Sequence, residues 1–532
     1  MEWRDKQMFG IIMLIFRLGI SFLKFTGLYL PVITCILIMV VLDKFNLKPT
    51  RGSLGDTVSM ALVYISMVPV PFICIGNIIR LANPEFSFLG LISDFLSRKD
   101  TGTYENIDDS LVGLESGVIL GKLGFNYIVM PEHSEGHLMV VGGQGSGKST
   151  SVAIPTLLNY NSSILAIDIK GELSDICRSY RKNIKVFNPL DDYSPHYDPY
   201  AILKQGNKVQ GAREISLSLI PISNDEKDPY WKQSAQNLLT ASILHFSNEN
   251  LDFPTTCKLI MNTEVSQLIG CLKNSPVSEA RMFVNQFVGA DNKQLASIFS
   301  TLSNEIIVFA TDENIMRALS SDGSATISAF DLENLTDIFI KISEDKLDQW
   351  KQLLNLMISQ FMKAFEKRTD KAEQKILFMI DEFPRLGKVN NIVSGLTTLR
   401  SKGIQIMLIL QSLAQLDSIY GNDTRKVITD NCNYKIILNA NDVDTQEYFS
   451  KLVGTEEREK ESNSVNSNDF SVSRNKGVSR TTEEKRIIRP EEFAYLEQPV
   501  VFTPMGFFRP NKVKWYEDKI FIKRAKSGDK IA

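Results

Sequence analysis

HLMVVGGQGSGKST, residues His137 to Thr150, decides the fold. An apolar run, HLMVV, enters a glycine-rich turn that fits GxxxxGK[ST] at Gly142, Gly147, Lys148 and Ser149. SVAIPTLLNY continues with helical character, so the order is strand, loop, helix. Glycines let such a loop curl until its backbone N–H groups face inward and hold phosphate oxygens. The helix from about Ser149 aims its N-terminus at the same phosphates. Gly142, Gly143, Gln144, Gly145, Ser146, Gly147, Lys148, Ser149 and Thr150 are therefore candidate nucleotide-binding residues. Lys148 is expected to reach the β and γ phosphates and Ser149 to ligate Mg²⁺, which points to ATP and Mg²⁺. Pro155 lies inside the helix and predicts a bend.

A second stretch, ILFMIDEFPRLG (376–387), runs five apolar residues into Asp381 and Glu382. No histidine or cysteine lies near them to share a resident metal. In phosphate-loop enzymes an acid at a strand end holds Mg²⁺, and a neighbouring group orients the attacking water. Asp381 fits the first role and Glu382 the second. Gln411 ends the run IQIMLILQ, where a polar group could sense the γ-phosphate. Arg400 precedes that run and could reach a neighbouring subunit's site as an arginine finger. From spacing alone, a strand-end amide and a solvated cation are equally open for these two.

The strand-like runs HLMVVG (137–142), SILAIDI (163–169), NIKVFNPL (183–190), ILFMID (376–381), IQIMLILQ (404–411) and YKIILNA (434–440) suit strands covered on both faces. The expected fold class is α/β, with an all-α insertion over 205–325, where helical spacing replaces these runs. The nucleotide-binding domain is expected to be discontinuous, 96–204 and 326–532. The insertion carries nine Lys/Arg against thirteen Asp/Glu, which does not read as a DNA surface. Residues 456–486 are Ser-rich, charged and almost without apolar side chains, and read as a flexible loop.

Hydrophobic content is 43% and net charge −3, so large cores are possible and a uniformly basic coat is excluded. Six scattered cysteines and four histidines form no metal or disulfide pattern. The N-terminal part, 1–95, is expected to be a membrane anchor. Phe25–Leu42 and Val58–Ile79 are uncharged runs of 18 and 22 residues; as helices the first nearly crosses a hydrocarbon core of ~30 Å and the second spans it. Two such runs in succession do not fit a signal peptide. They return the chain to its starting side, and a body that uses ATP places that side in the cytoplasm.

Taken together, these stretches resemble one family: the coupling proteins of type IV secretion systems, conjugative DNA-transfer ATPases of TraG/TraD type. The likeness rests on the phosphate loop followed by IPTLL, on LAIDIKGEL (165–173), FNPL (187–190), DPYWKQSAQNLL (228–239) and LFMIDEFPRLG (377–387). It extends through LRSKGIQIMLILQSLAQLDSIYG (399–421), DNCNYKIILNANDVDT (430–445) and RIIRPEEF (486–493). The resemblance implies a RecA-like motor preceded by two transmembrane helices and assembled as a homo-hexamer at the inner membrane. It implies a ring that delivers relaxase-bound single-stranded DNA to the secretion channel, or protein effectors in other members. On this basis Lys148 and Ser149 bind nucleotide and Mg²⁺, Asp381 and Glu382 form the second acidic motif, Gln411 is the sensor and Arg400 the trans-acting arginine. A receptor for protein effectors that never handles DNA is the alternative. The long linker and terminal winged helix expected of a chromosome-pumping translocase are not apparent.

Overall fold

The computed structural model describes residues 107–527 except 205, 223–225, 322–324 and 466–475, with the backbone alone over 458–465 and 476–481. The expected anchor, with its spans at 25–42 and 58–79, lies outside the described residues. Among the described residues no helix is long and apolar enough to cross a membrane.

The strands are β1 Gly117–Leu123, β2 Asn126–Pro131, β3 Leu138–Val141, β4 Ser163–Asp168, β5 Ile184–Phe187, β6 Asp337–Lys341, β7 Ile376–Ile380, β8 Ile404–Leu410 and β9 Tyr434–Ile437. They continue with β10 Thr455–Val465, β11 Lys476–Arg486, β12 Val500–Thr503 and β13 Gly506–Phe508. Nine of them form one sheet in the order β13-β12-β9-β3-β8-β7-β4-β6-β5. The seven from β9 to β5 are parallel, and β12 and β13 add an antiparallel edge. The central strands β3, β4, β7 and β8 are buried at every position. This is why they read as continuous apolar runs rather than alternating ones.

Alternate residues serve two cores. Met139, Val141, Ile406, Leu408 and Leu410 face the helices on one side. Val140, Ala166, Met379, Met407 and Ile409 face the other side, where the β1–β2 hairpin, the helix after the phosphate loop and the C-terminal helix pack. The expected bend at Pro155 takes a specific form. Lys148–Ala153 is a π-helical turn, with Ile154 N bonded to Ser149 O, and α1 Ile154–Leu157 begins with Pro155 in its first turn. The widened turn spares a ring that cannot donate to the preceding one.

Helix α2 is Glu172–Cys177. Between β5 and β6 the described residues hold helices and no strand: α3 Lys208–Leu219, α4 Tyr230–Asn248, α5 Phe253–Asn262, α6 Val265–Lys273, α7 Ser278–Val284, α8 Asn292–Thr311 and α9 Glu313–Ala318. Asp252, Asp291 and Asp312 accept backbone N–H groups at the starts of α5, α8 and α9. The way in and the way out of this block are tied together. His196 N donates to Ala325 O (2.7 Å) and Ile327 N donates to His196 O (2.9 Å). Its apolar interior is continuous with the sheet's, joined where α3 packs on α10 Lys351–Glu366. Short helices at Ala201–Lys204 and Ala329–Glu333 flank the block, and α11 Ile392–Thr398, α12 Leu413–Tyr420, α13 Asn422–Asn431, α14 Val443–Val453 and α15 Lys519–Ala525 lie later in the chain.

Within the expected loop 456–486, the described residues are paired strands. β10 and β11 pair antiparallel from Thr455↔Arg486 to Val465↔Lys476 as a ribbon separate from the main sheet. Cross-strand pairing satisfies the backbone of a segment that has no apolar face to bury.

Candidate functional site

The sheet order builds the site. β3 carries the phosphate loop at its C-terminal end, β8 lies beside it with Gln411 just past its end, and β7 lies beside β8 with Asp381 just past its end. Three motifs far apart in sequence thus meet at the carboxyl ends of three adjacent parallel strands, where open α/β sheets bind ligands.

The loop begins with Gly142 N donating to Leu410 O (3.1 Å), which ties it to β8. Gly143 N donates to Asn439 Oδ1 (2.6 Å), beyond the end of β9 on the other flank. A Cβ on Gly142 would lie 2.4 Å from Ser146 Oγ, and one on Gly143 would lie 2.8 Å from Asn441 Nδ2. Gly147 has φ 98°, which only glycine adopts freely, and a Cβ there would lie 2.8 Å from Ser151 Oγ. Ser146 Oγ and Ser151 Oγ are buried without a partner in this loop. Gln144 and Gly145 are exposed at its tip; Ser149 and Thr150 are half-buried.

Lys148 is 7% exposed. Its Nζ donates to Gly142 O (2.7 Å) and Gly143 O (3.3 Å) and stands 3.8 Å from Glu382 Oε1. Burial lowers its pKa, while Glu382 and then Asp381 act to restore it. Asp381 is 5% exposed, and its Oδ1 accepts the N–H of Glu382 (3.0 Å). Burial, and then the negative charge of Glu382, push its pKa up to about 6.

Glu382 sits at φ 48°, ψ 44°, left-handed and unusual for a residue with a Cβ. Its Oε2 accepts from Gln411 Nε2 (3.1 Å). The FPRLG that follows explains how this backbone is held. Phe383 is fully buried and stacks on Tyr420 with centroids 5.8 Å apart. Pro384 opens a 3₁₀ turn, Arg385 N closes it on Glu382 O (2.8 Å), and Gly387 leaves at φ 72°. The Tyr420 hydroxyl accepts from Val389 N (3.0 Å) and donates to Gly387 O (3.3 Å). IDEFPRLG and the distant SIYG are thus one structural unit.

Arg400 is not part of this cluster. It lies exposed on the 3₁₀ turn Leu399–Lys402, at the opposite end of β8 from Gln411. Seven strand residues separate them, about 23 Å at ~3.3 Å per residue. Two further residues near the site carry little signal in the sequence. Asn439 was visible as a polar group ending YKIILN, on the strand that turned out to flank β3. Lys170, in the LAIDIKGEL loop after β4, is close enough for its charge to act on both Lys148 and Asp381.

Residues 95–531 match the family model for type IV secretory system conjugative DNA transfer. This chain is a member of that family. It is 25% identical over 428 residues to protein VirD4 of Rhizobium rhizogenes, covering 76% of this chain and 62% of that protein. It is 24% identical over 356 residues to the conjugal transfer protein TraG of Escherichia coli, covering 60% and 55%. This family member therefore spans about three fifths of the length of the curated relatives it matches. Among solved structures, the unbound conjugative coupling protein TrwB superposes with a TM-score of 0.60 at 18% identity, over 73% of this chain and 86% of that one. TrwB in complex with the ATP analogue ADPNP gives 0.59 at 19%, over 75% and 89%. These likenesses establish a shared α/β fold.

Proposed function

We propose that this family member is an ATP hydrolase that couples hydrolysis to delivery of relaxase-bound single-stranded DNA to a type IV secretion channel. In this reading it is a homo-hexamer of RecA-like subunits, held at the inner membrane by two N-terminal helices, with the body in the cytoplasm. The observation that carries the reading is the convergence of Lys148, Glu382 and Gln411 on one loop built to hold phosphate. The resemblance to coupling proteins supplies the DNA and the channel. TrwB, whose fold this chain shares, is known in complexes with ADPNP and with ADP and Mg²⁺.

The residues fit a nucleotide and its metal. Glycine at 142, 143 and 147 lets the loop curl without pressing a Cβ onto Ser146, Asn441 or Ser151, and Lys148 is a buried cation that can exchange backbone carbonyls for phosphate oxygens. Asp381 and the Ser149 hydroxyl are oxygen donors of the type Mg²⁺ prefers. Bound there, Mg²⁺ would neutralise charge on the phosphates. The chain's own residues do the rest. The loop N–H groups orient the triphosphate, and Lys148 meets its β and γ oxygens. Glu382 holds the attacking water and takes its proton at a carboxylate oxygen, and Gln411 fixes that carboxylate. Arg400, at the amino end of β8 and outside this cluster, is assigned to a neighbouring subunit's site.

Hydrolysis by the full chain, with and without single-stranded DNA and in Glu382→Gln, tests this. Stimulation by DNA that is lost in the variant is expected. No hydrolysis under any assembling condition would end the motor reading. Hydrolysis without DNA binding would favour the effector receptor, to which the acidic insertion is suited.

A further inference from the structure

The C-terminal segment reaches the phosphate loop from the side opposite Glu382. β7 lies two strands from β3 in one direction; β12 and β13 lie beyond β9 in the other. After β13 the chain crosses β1, where Asn511 exchanges backbone bonds with Lys122 (3.0 and 2.8 Å). It then runs along the loop. Lys512 Nζ donates to Ser146 O (3.1 Å), and Trp515 N donates to Thr150 O (3.1 Å). Beyond, Asp518 anchors it on Lys122 (3.3 Å) and Tyr127 (2.7 Å), and Arg524 on Leu158 O (3.1 Å) and Asn159 (2.7 Å).

Lys512 is a half-buried cation with an odd set of partners. Among the described residues its one hydrogen bond goes to a backbone carbonyl, and it has no carboxylate partner. Burial and the neighbouring Lys514 both press against its charge. Lys514 itself is paired with Glu517 at 2.9 Å. An ammonium has three donors, and desolvating one without a counter-ion is unfavourable unless a ligand brings the anion. On the nucleotide-site reading, the γ-phosphate end of a triphosphate would lie toward Glu382, and the α-phosphate and nucleoside would leave the loop on the other side, past Thr150.

We propose that Lys512 is a nucleotide-binding residue, the cation for the α-phosphate end, and that Asn511–Tyr516 forms the base-side wall of the site. This rests on the nucleotide-site reading given above. The site then takes cations from both directions, Lys148 at the β and γ phosphates and Lys512 at the α. The nucleotide in turn fastens the C-terminal segment to the loop.

The test is binding of fluorescent mant-ADP by the full chain in detergent, wild type against Lys512→Gln and Lys512→Arg, with ligand-free melting followed in parallel. Gln keeps a donor for Ser146 O and removes the charge. Lys512→Gln is expected to weaken binding about tenfold with unchanged melting, and Lys512→Arg to bind within about threefold of wild type. Wild-type affinity in Lys512→Gln would reduce Lys512 to a brace and overturn the proposal. Equal loss in Gln and Arg would mean a packing role and overturn it too. Binding by wild type in either case leaves the nucleotide site standing; no binding by wild type would remove the site and this proposal together.

Discussion

Gln411 Nε2 donates to Glu382 Oε2 across 3.1 Å, while Glu382 Oε1 stands 3.8 Å from Lys148 Nζ. One carboxylate thus links the ends of β7 and β8 to the phosphate loop on β3. The amide restrains the oxygen that does not face the lysine. A carboxylate on a left-handed residue needs such restraint, because the strained backbone is held only by its surroundings.

Replacing Gln411 with Leu should leave nucleotide affinity within about threefold and lower kcat by roughly 10- to 100-fold, the size of effect a small misplacement produces. Glu382→Gln, which removes the base itself, should lower kcat by about 10²–10⁴ with binding retained. Parallel measurement of kcat and mant-nucleotide Kd separates the two. A Gln411→Leu variant that loses binding rather than kcat would place the amide on the ligand instead of on Glu382.

Asp381 should give the ligand-free protein an unusual pH dependence. Its pKa is raised by burial first and by Glu382 second, to about 6 from an ordinary 3.8. The folded state therefore takes up a proton before the unfolded chain does, and stability from this group rises as pH falls from about 6 toward 4. The interval corresponds to about 2–3 kcal/mol. Metal binding needs the ionised form and should weaken over the same range. Asp381→Asn should flatten the stability slope between pH 4 and 6, raise ligand-free stability at pH 7 and abolish Mg²⁺-dependent hydrolysis. Thermal melting across pH and a Mg²⁺ titration check the three outcomes.

Much of this site was legible because parallel strands buried on both faces announce themselves as apolar runs, and functional residues sit where those runs stop. Val141, Ile380 and Leu410 each end such a run, and Gly142, Asp381 and Gln411 follow. What could not be read was which runs are neighbours. Nothing local to IQIMLILQ says that β8 lies between β3 and β7. The edge strands β12 and β13 escaped notice because VVFTPMGFF is short and antiparallel, and β6 because DIFIK follows a long helical insertion. The β10–β11 ribbon escaped because its pairing owes nothing to apolar periodicity. Lys512 is one of fourteen Lys/Arg between Ser471 and Ala532, distinguished only by the fold that lays it on the loop.

Arg400 gives a prediction about assembly. Because it lies at the other end of β8 from Gln411, Arg400→Ala should bind nucleotide normally and lose hydrolysis by about 10³-fold or more. Mixing it with Glu382→Gln subunits should restore part of the activity, since intact Glu382 sites then meet intact arginines. Mixtures as inactive as the separate variants would show that Arg400 does not act across subunits.

A buried ion pair braces the scaffold behind the site. Arg181 Nε lies 2.5 Å from Asp337 Oδ2 and Nη2 2.8 Å from Oδ1, both side chains 6% exposed. The guanidinium also donates to the carbonyls of Leu157 (3.0 Å), Tyr160 and Ser162 (2.7 Å), and Asp337 Oδ1 accepts from Ile164 N (2.9 Å). The pair thereby ties the end of α1 to the starts of β4 and β6, behind the site. Burial nevertheless outweighs Arg181 and holds the Asp337 pKa above its usual range, so desolvation dominates its electrostatics. Removing one partner strands the other's charge. Arg181→Met and Asp337→Leu alone should therefore each cost about 3–5 kcal/mol, while the two combined should recover a large part of that loss. Urea unfolding of the single and double variants decides the matter, since a double variant at the additive sum of the singles would mean the two side chains stabilise the fold independently.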